Sequence, residues 1–358
     1  SSSMSIANNM FALFDRDHDG AISADELHHF FTKVGVDVDA EQVAALMREY
    51  DIDNSGGIEM AEFVPLLCKM LGKTLNTISE LTHVKIIDKD EMTDLKQNLA
   101  KRTVHNPDKI IEHVVLLVVV AEEIFPVLKD FKPEEAPDVV EKLMHLGKAW
   151  TCTMKDKSAA YTLTIVQVAD SVHYKRHYSG YTQVSALVPL IKKELQPDLL
   201  ISFGTAGGWP GLAKVGDCVL SSGCVFIDRV RTSSKMAHDW GVFGGPVMDT
   251  HRMATDLDLV QGIVGSQISY AVTEQQVHLI KTLGIAALDM ECASEAEVAM
   301  QVQLNFMAIK MVSNGIYPGN PKRMEEEYVE NKAYVSQRGM ETLTAVFRYL
   351  LGRRVGDL

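Results

Sequence analysis

The sequence predicts two different folds in one chain: an all-α pair of helix–loop–helix units, followed by a three-layer α/β fold built on a mixed sheet. The first 70 residues carry 13 acidic and 4 basic side chains, a net charge of −9 out of −13 for the whole chain of 358 residues. From residue 110 onward, short apolar runs alternate with segments of helical spacing, which is typical of strands and helices that cover both faces of a sheet.

The first acidic loop, residues 15–26, reads DRDHDGAISADE. A calcium ion takes six to eight oxygen ligands, and alternate residues of a tight twelve-residue loop point inward to supply them. Gly20 stands at position 6, where the sharp turn requires it. The predicted ligands occupy positions 1, 3, 5, 7 and 12: Asp15, Asp17, Asp19, the carbonyl of Ala21, and Glu26.

A second loop, residues 51–62 (DIDNSGGIEMAE), repeats this pattern 36 residues later. Ile22 and Ile58 both fall at position 8, where paired loops are joined by a short strand contact, so we expect them to pair. The two loops resemble an EF-hand pair, predicted over residues 4–72 and binding two Ca²⁺ ions. The predicted ligands of the second loop are Asp51, Asp53, Ser55, the carbonyl of Gly57, and Glu62.

A polar segment over residues 73–108 ends at Asn106-Pro107 and has little periodicity, which predicts a linker. The domain that follows is predicted over residues 109–358. Strands are expected near 113–120, 161–168, 198–203, 216–222, 261–269, 284–289 and 306–312. Helices are expected near 122–130, 181–195, 274–282, 291–304 and 324–351.

Composition excludes several classes of function. The sequence has no apolar run of the roughly 20 residues that a membrane helix needs, and its acidity disfavours nucleic acid as a partner. The five cysteines are scattered and contain no CxxC pair, which favours a reducing intracellular compartment and predicts a cytoplasmic protein.

A glycine-rich segment, ISFGTAGGWPG at residues 201–211, follows an apolar run and predicts a turn at the carboxyl end of a strand. Its glycines do not have the GxGxxG spacing of a dinucleotide site, and Pro210 would break a following helix. The sequence also lacks GxxxxGK[ST], which argues against a nucleoside triphosphate. No organic cofactor is therefore expected.

Four strings together resemble one family: FGTAGGWPGLAKVGDCVL (203–220), FIDR (226–229), LDMECAS (288–294) and KMVSN (310–314). They are similar to the superfamily of purine nucleoside phosphorylases and methylthioadenosine/adenosylhomocysteine nucleosidases, most of all to the plant-type nucleosidases. The resemblance covers residues 110 to 352. It implies the nucleoside phosphorylase fold, a purine nucleoside substrate and a homo-oligomer, with a dimer favoured.

The resemblance also implies roles for single residues. Glu291 would accept hydrogen bonds from the ribose 2′- and 3′-hydroxyls, Met290 would pack under the sugar, and Tyr270 would stack on the purine. Glu123 would activate the attacking water, with Glu122 as the competing candidate one position earlier. Thr205 and Gly207 would line the face of C1′ that is attacked, and Ala206, Asp289 and Ser313 complete the predicted substrate site.

Asn314 departs from the nucleosidase pattern, in which an Asp at this position protonates N7 of the purine. An amide donates and accepts hydrogen bonds but delivers no proton, and the trimeric 6-oxopurine phosphorylases use Asn here. Three functions stay open: a nucleosidase, a phosphorylase that uses phosphate, and a calcium-responsive nucleoside-binding protein without turnover. In each of them the EF-hand pair is either a regulator of the second domain or an anchor to a partner protein.

Four further cations stand near the predicted site in the sequence: Arg176, His177, Arg229 and Arg231. We expect each to be a surface or dimer-contact residue rather than a ligand. If phosphate is the nucleophile, at least one arginine should reach it, because backbone amides supply only partial charge.

Overall fold

A computed structural model provides the coordinates of this chain, which divides into two compact units, Ser1–Ile86 and Ile87–Leu358. Within these units the structure describes residues 11, 13–17, 19–33, 38–51, 55–59, 62–63, 66, 97–99, 101, 104–171, 175, 179–229 and 243–358. Asp53, Arg176, His177 and Arg231 lie outside these ranges.

The first unit contains the two loops and the helices next to them. Its described elements are strand β1 (Ala21–Ile22), helix α1 (Ala24–Lys33), helix α2 (Ala40–Tyr50) and strand β2 (Ile58–Glu59). The expected contact is confirmed, since β1 and β2 pair antiparallel with Ile22 opposite Ile58. Gly20 and Gly56 adopt φ values of 94° and 91°, which a residue with a side chain rarely adopts.

Aromatic and aliphatic side chains form the core of the first unit. Phe14, Ile22, Leu27, Ile58 and Phe63 are fully buried in one cluster. The rings of Phe14 and Phe63 meet edge to face with centroids 5.1 Å apart. This core joins the helices and the paired strands, so each loop is held at both of its ends.

The second unit is a mixed α/β domain. Its strands are β3 (His113–Val118), β4 (Glu134–Glu135), β5 (Gly147–Lys155), β6 (Ala160–Val168), β7 (Leu199–Gly208), β8 (Cys218–Phe226), β9 (Phe243–Gly245), β10 (Val260–Ser266), β11 (Ile285–Asp289) and β12 (Phe306–Gly315). Its α-helices are α3 (Ala121–Phe131), α4 (Pro137–Lys142), α5 (Tyr181–Leu190), α6 (His251–Asp256), α7 (Glu274–Leu283), α8 (Cys292–Gln301) and α9 (Pro321–Tyr349), and α5 continues as a π-helical turn, Ile191–Leu195. Within the described ranges no helix has the length and hydropathy that crossing a membrane requires.

Ten strands form a single mixed sheet in the order β11-β10-β8-β12-β7-β3-β6-β5-β4, with β9 paired to β8. Strand β7 lies parallel to β3 and β12, whereas β12 pairs antiparallel with β8. Strand β11 also pairs antiparallel with β7, so five strands close into a ring. This closure brings the ends of β7, β11 and β12 together.

Helices cover both faces of the sheet, as the three-layer prediction requires. Along β3, Val114 and Leu116 belong to one hydrophobic cluster, and Val115 and Leu117 belong to the other. This alternation follows from the two-residue period of a strand. Side chains of α9 pack in the first cluster and those of α5 and α8 in the second.

Several elements were not predicted. Strand β5 has a half-exposed face and reads as polar and apolar in alternation, so it lacks the continuous apolar run of the central strands. Strands β4 and β9 and helices α4 and α6 have two to six residues, too short to show a period.

The C-terminal end of the predicted linker belongs to the second unit. Leu99 is buried in a cluster with Val225 and Ile280, and it contacts Gly223. The backbone of His105 donates to the side chain of Asn305 and accepts from it, at 2.7 and 3.0 Å. The polar composition of this segment concealed these contacts, because backbone groups make most of them.

Candidate active site

Most of the glycine-rich segment lies in strand β7, and the predicted turn follows the strand, where the backbone N–H of Leu212 donates to the carbonyl of Trp209 at 3.0 Å. Gly204, Gly207 and Gly208 all lie within the strand, and only Gly211, beyond it, has a positive φ, 90°. The strand glycines allow close approach: a Cβ at Gly208 would lie 2.6 Å from the carbonyl oxygen of Ala213. At Gly207 a Cβ would lie 3.2 Å from Nδ2 of Asn314.

A cavity of about 350 Å³ opens where β3, β7, β11 and β12 end. Ligands bind at this edge in open α/β sheets. All ten residues predicted for catalysis and substrate binding line it: Glu123, Thr205, Ala206, Gly207, Tyr270, Asp289, Met290, Glu291, Ser313 and Asn314. Seven separate parts of the chain contribute to the lining, so the fold has to be complete before the cavity exists.

Glu123 lies in the first turn of α3, directly after β3. Its Oε1 accepts two hydrogen bonds of 2.7 Å, from the backbone N–H and from the hydroxyl of Thr205. A Cβ at Gly204 would lie 3.0 Å from its Oε2, so only glycine leaves this oxygen room. Burial raises the pKa of Glu123, against the lowering effect of the Thr205 hydrogen bonds and of Lys310.

Glu122, the competing candidate, has a different environment. Its Oε1 lies 3.8 Å from Nζ of Lys332, and both side chains are partly exposed. The geometry therefore favours Glu123, which is fixed against β7, as the group that contacts a nucleophile.

Two residues of α9 in the cavity wall were not predicted. Tyr328 and Lys332 lie one helical turn apart on the same face of α9. Burial together with Glu123 and Glu122 raises the pKa of Tyr328 to about 12, and a hydrogen bond with Thr205 acts in the opposite direction. The sequence gives no signal for either residue, because a Tyr and a Lys at this spacing are ordinary on a helix surface.

Glu291 follows β11 and immediately precedes α8. Its Oε1 accepts a 2.7 Å hydrogen bond from the backbone N–H of Gly180. Burial and the neighbouring Asp289 raise the pKa of Glu291, whereas Lys310 lowers it. Met290 lines the cavity beside it.

The carboxylate of Asp289 is engaged by protein groups. Oδ1 accepts from the hydroxyl of Ser266 at 2.5 Å, and the backbone N–H of Cys292 donates to Oδ2 at 3.0 Å. Nζ of Lys310 lies 2.9 Å from the same Oδ2. Asp289 therefore lines the cavity, but Ser266, Cys292 and Lys310 already occupy both of its carboxylate oxygens.

Lys310 is 2% exposed and lies in the middle of β12. Besides its ion pair with Asp289, it donates a 3.1 Å hydrogen bond to the hydroxyl of Ser202. Although burial lowers the pKa of Lys310, the carboxylates around it raise the value well above the ordinary one. A single charge inside the apolar run FMAIKMV was the sequence signal that could have identified it.

Asn314, at the end of β12, is buried and has its amide held by protein groups. Its Nδ2 donates to the carbonyl of Gly315 at 3.1 Å, and its Oδ1 accepts from the hydroxyl of Ser313 at 2.9 Å. Tyr270 also lines the cavity and is 49% exposed. Its ring is therefore accessible to a planar ligand.

Arg229, which was expected at the surface, forms an ion pair and a cation–π contact with neighbouring side chains. Its guanidinium lies 3.0 Å from Glu297 and 3.4 Å from the ring centroid of Phe226. The two cations among the described residues that line the cavity are Lys310 and Lys332, and each is paired with a carboxylate.

The first calcium loop brings its acidic residues together. Ligand oxygens of Asp15, Asp17 and Asp19 all lie within 4.8 Å of one another. Oδ1 of Asp15 is buried and accepts no hydrogen bond from the described residues, as expected of an oxygen reserved for a cation. Glu26 accepts hydrogen bonds from the backbone of Arg16 and Ser23, at 2.7 and 2.9 Å, which points its carboxylate into the loop. This donor set fits Ca²⁺.

The second loop repeats part of this arrangement. Asp51 accepts from the backbone N–H of Gly56 at 3.0 Å, just as Asp15 accepts from Gly20 at 3.2 Å in the first loop. The hydroxyl of Ser55 donates to the carbonyl of Gly57 at 3.0 Å. Glu62 accepts from the backbone N–H of Glu59 at 3.1 Å.

Comparison with known proteins agrees with this division. Residues 7–68 match the model of the EF-hand domain pair. The calcium-binding protein CML19 of Arabidopsis thaliana is 38% identical over 82 residues, which cover 23% of this chain and 48% of that protein. The first unit is an EF-hand pair, as predicted.

The second unit is similar to nucleosidases in sequence and in fold. The 5′-methylthioadenosine/S-adenosylhomocysteine nucleosidase of Arabidopsis thaliana is 31% identical over 165 residues, which cover 46% of this chain and 64% of that enzyme. The apo structure of the Arabidopsis thaliana 5′-methylthioadenosine nucleosidase superposes with a TM-score of 0.63 at 25% identity, covering 70% of this chain and all of that one. The model of the phosphorylase superfamily matches residues 131–351. The chain therefore belongs to the phosphorylase superfamily and carries an EF-hand pair before its catalytic fold.

Proposed function

We propose that the second unit hydrolyses the N-glycosidic bond of a purine nucleoside, such as methylthioadenosine, adenosylhomocysteine or a related nucleoside. One observation carries this proposal: Glu123 is fixed by Thr205 through Oε1 at the edge of the cavity. These two bonds are made by Oε1, which leaves Oε2 as the oxygen that takes a proton from water.

The reaction breaks the bond between C1′ of the ribose and N9 of the purine. As the bond opens, its electron pair leaves with the base, and the sugar gains oxocarbenium character. Water attacks C1′ and gives its proton to Glu123, while Thr205 keeps the carboxylate oriented. The base takes up a proton from solvent, because Asn314 donates only a hydrogen bond, and Glu123 returns its proton to solvent.

Binding of the sugar rests on Glu291 and Met290. An ionised Glu291 accepts hydrogen bonds from the two ribose hydroxyls, and the thioether of Met290 packs against the ring. The exposed ring of Tyr270 stacks on the base. The names of the two Arabidopsis relatives support a nucleoside with a 5′-thio substituent.

A phosphorylase is the second candidate, and Asn314 favours it. An amide recognises a 6-oxopurine, whose N7 and O6 both accept hydrogen bonds. Within the described part of the chain, the cations of the cavity favour water instead, because Lys310 is paired with Asp289 and Lys332 lies 3.8 Å from Glu122, whereas phosphate binding needs a positive charge.

The test is to incubate the full chain with inosine, adenosine and methylthioadenosine, with and without phosphate, and to measure the free base. The hydrolase proposal requires equal base release without phosphate and free ribose or a 5′-thioribose as the second product. Release that depends on phosphate and yields a sugar 1-phosphate would establish the phosphorylase. Nucleoside binding without base release would establish the third candidate, a binding protein without turnover.

The EF-hand pair binds calcium, and we propose that both loops take an ion and that calcium regulates turnover. Regulation requires that the enzyme bind calcium with different affinity in two of its states. Calorimetric titration counts the ions bound per chain. Equal turnover in calcium and in chelator would exclude regulation.

A further inference from the structure

Glu295 is a buried carboxylate to which the proposed chemistry gives no role. It lies on α8, one helical turn after Glu291, and is 0% exposed. Neither of its oxygens has a hydrogen bond of good geometry to the described residues, although the Ser202 hydroxyl is close enough to lower its pKa. An ionised carboxylate in this position costs free energy unless a cation or a proton neutralises it.

Several elements contribute charged or titratable groups around Glu295. Lys310 is the one cation among the described residues that act on it, and its nearest anionic partner is Asp289, at 2.9 Å. That ion pair is neutral as a whole, so Glu291 and Glu295 remain as two carboxylates without a further cation from the described part of the chain. The groups that act on the two carboxylates are Lys310 of β12, Asp289 of β11, Ser202 of β7 and the backbone N–H of Gly180, while the thiol of Cys292 on α8 acts on Lys310.

Two carboxylates in one site of low dielectric do not both ionise near neutral pH, because the second charge is opposed by the first. We propose that Glu295 is a positioning residue that shares one proton with Glu291 and thereby sets the pH at which Glu291 becomes the anion that binds ribose. This inference rests on the proposed function, in which an ionised Glu291 accepts the ribose hydroxyls.

One proton moves between the carboxyl groups of Glu291 and Glu295 when the ribose binds. In the empty cavity the shared proton favours Glu291, whose carboxyl is deprived of its ribose partners. When the ribose hydroxyls donate to Glu291, the proton passes to an oxygen of Glu295, while Lys310 stays an ammonium ion and the total charge is unchanged. In agreement, burial raises the pKa of both carboxyls, that of Glu295 to about 7; Asp289 and Glu295 raise the pKa of Glu291 further, and Asp289 raises that of Glu295.

The test is the pH profile of kcat/KM for Glu295→Gln, because kcat/KM reports ionisations of the free enzyme. Removing the negative neighbour lowers the pKa of Glu291, so the acid limb of the profile moves to lower pH by about one unit. Glu295→Leu removes the same charge without an amide and shifts the limb in the same direction. It also serves as the second variant if Glu295→Gln does not fold, as judged by thermal melting.

The matched control is Glu297→Gln, two residues further along α8, where the side chain pairs with Arg229. Its acid limb stays at the wild-type pH. An acid limb of Glu295→Gln and Glu295→Leu that coincides with the wild type, or lies at higher pH, overturns the inference. Failure of the wild-type chain to release base at any pH would instead contradict the proposed function, so the two failures are distinguishable.

Discussion

The first calcium loop and the candidate active-site cavity are built in opposite ways. Every predicted ligand of the loop comes from twelve consecutive residues, 15–26, and the oxygens of Asp15, Asp17 and Asp19 lie within 4.8 Å of one another. The cavity draws on residues as far apart as Val119 and Lys332. A site formed by consecutive residues can be predicted from their spacing. A site formed by distant parts of the chain can be predicted only when the fold is known.

The largest effect is expected at the centre of the assembled site. Glu123→Gln removes the proton acceptor but keeps the shape of the side chain and its contact with Thr205. We expect turnover to fall about a thousandfold, in the range typical of a lost general base. Initial rates of base release, measured at saturating nucleoside, check this expectation.

Glu122→Gln is the neighbouring control for that experiment. Glu122 makes a 3.8 Å ion pair with the partly exposed Lys332, and such pairs contribute little. Its loss should reduce turnover by at most about tenfold. A larger loss for Glu122→Gln than for Glu123→Gln would mean that the roles of the two residues are exchanged.

The second largest effect is expected on calcium binding by the first loop. Glu26→Gln replaces a bidentate anionic ligand with a neutral amide, and we expect the calcium affinity of the first loop to fall roughly a hundredfold. Calorimetric titration with calcium checks this, with Glu41→Gln on the exposed surface of α2 as control. Unchanged affinity in Glu26→Gln would contradict the ligand assignment of this loop.

The residue spacing predicts the calcium ligands but not the residues of the cavity, because only the calcium loop is formed by consecutive residues. Asp15, Gly20 and Glu26 follow from the loop spacing, and the paired Ile22 and Ile58 follow from the repeat. The residues of the cavity came from the resemblance to a family, because the pairing of β11 with β7 that brings them together involves residues 79 and 81 positions apart.

The resemblance also left out the supports of the site. Lys310 begins the string KMVSN and Glu295 directly follows LDMECAS, but the resemblance implies no role for either, because their importance arises from burial, which a sequence pattern does not report. Tyr328 and Lys332 lie on a helix that was predicted, but which face of it meets the cavity depends on how α9 packs. The sequence predicts a turn at the glycines of β7. Their actual role, to allow the close approach of Glu123 and Asn314 to the strand, depends on long-range contacts that the local sequence does not show.

A smaller effect is expected at Asn314, where the assembled site departs from the family pattern. Asn314→Asp supplies a proton donor near N7 and should raise turnover of adenosine or methylthioadenosine relative to inosine by about tenfold. Asn320→Asp is the control, because this exposed residue caps α9 and an aspartate caps a helix equally well. A ratio of rates that stays unchanged in Asn314→Asp would show that this side chain does not contact the base.

The smallest effects separate the two uses of glycine in this segment. In Gly204→Ala the new Cβ lies 3.0 Å from Oε2 of Glu123, at the flexible end of a side chain, so turnover should fall about tenfold with little loss of stability. In Gly211→Ala no atom lies within 4 Å of the Cβ, but φ is 90°, so the free energy of unfolding should drop by about 1 kcal/mol while turnover is kept. Rates and thermal melts of the two variants check this. If Gly204→Ala lost stability and kept turnover, the strand glycine would serve the backbone, and the space beside Glu123 would not be needed for the nucleophile.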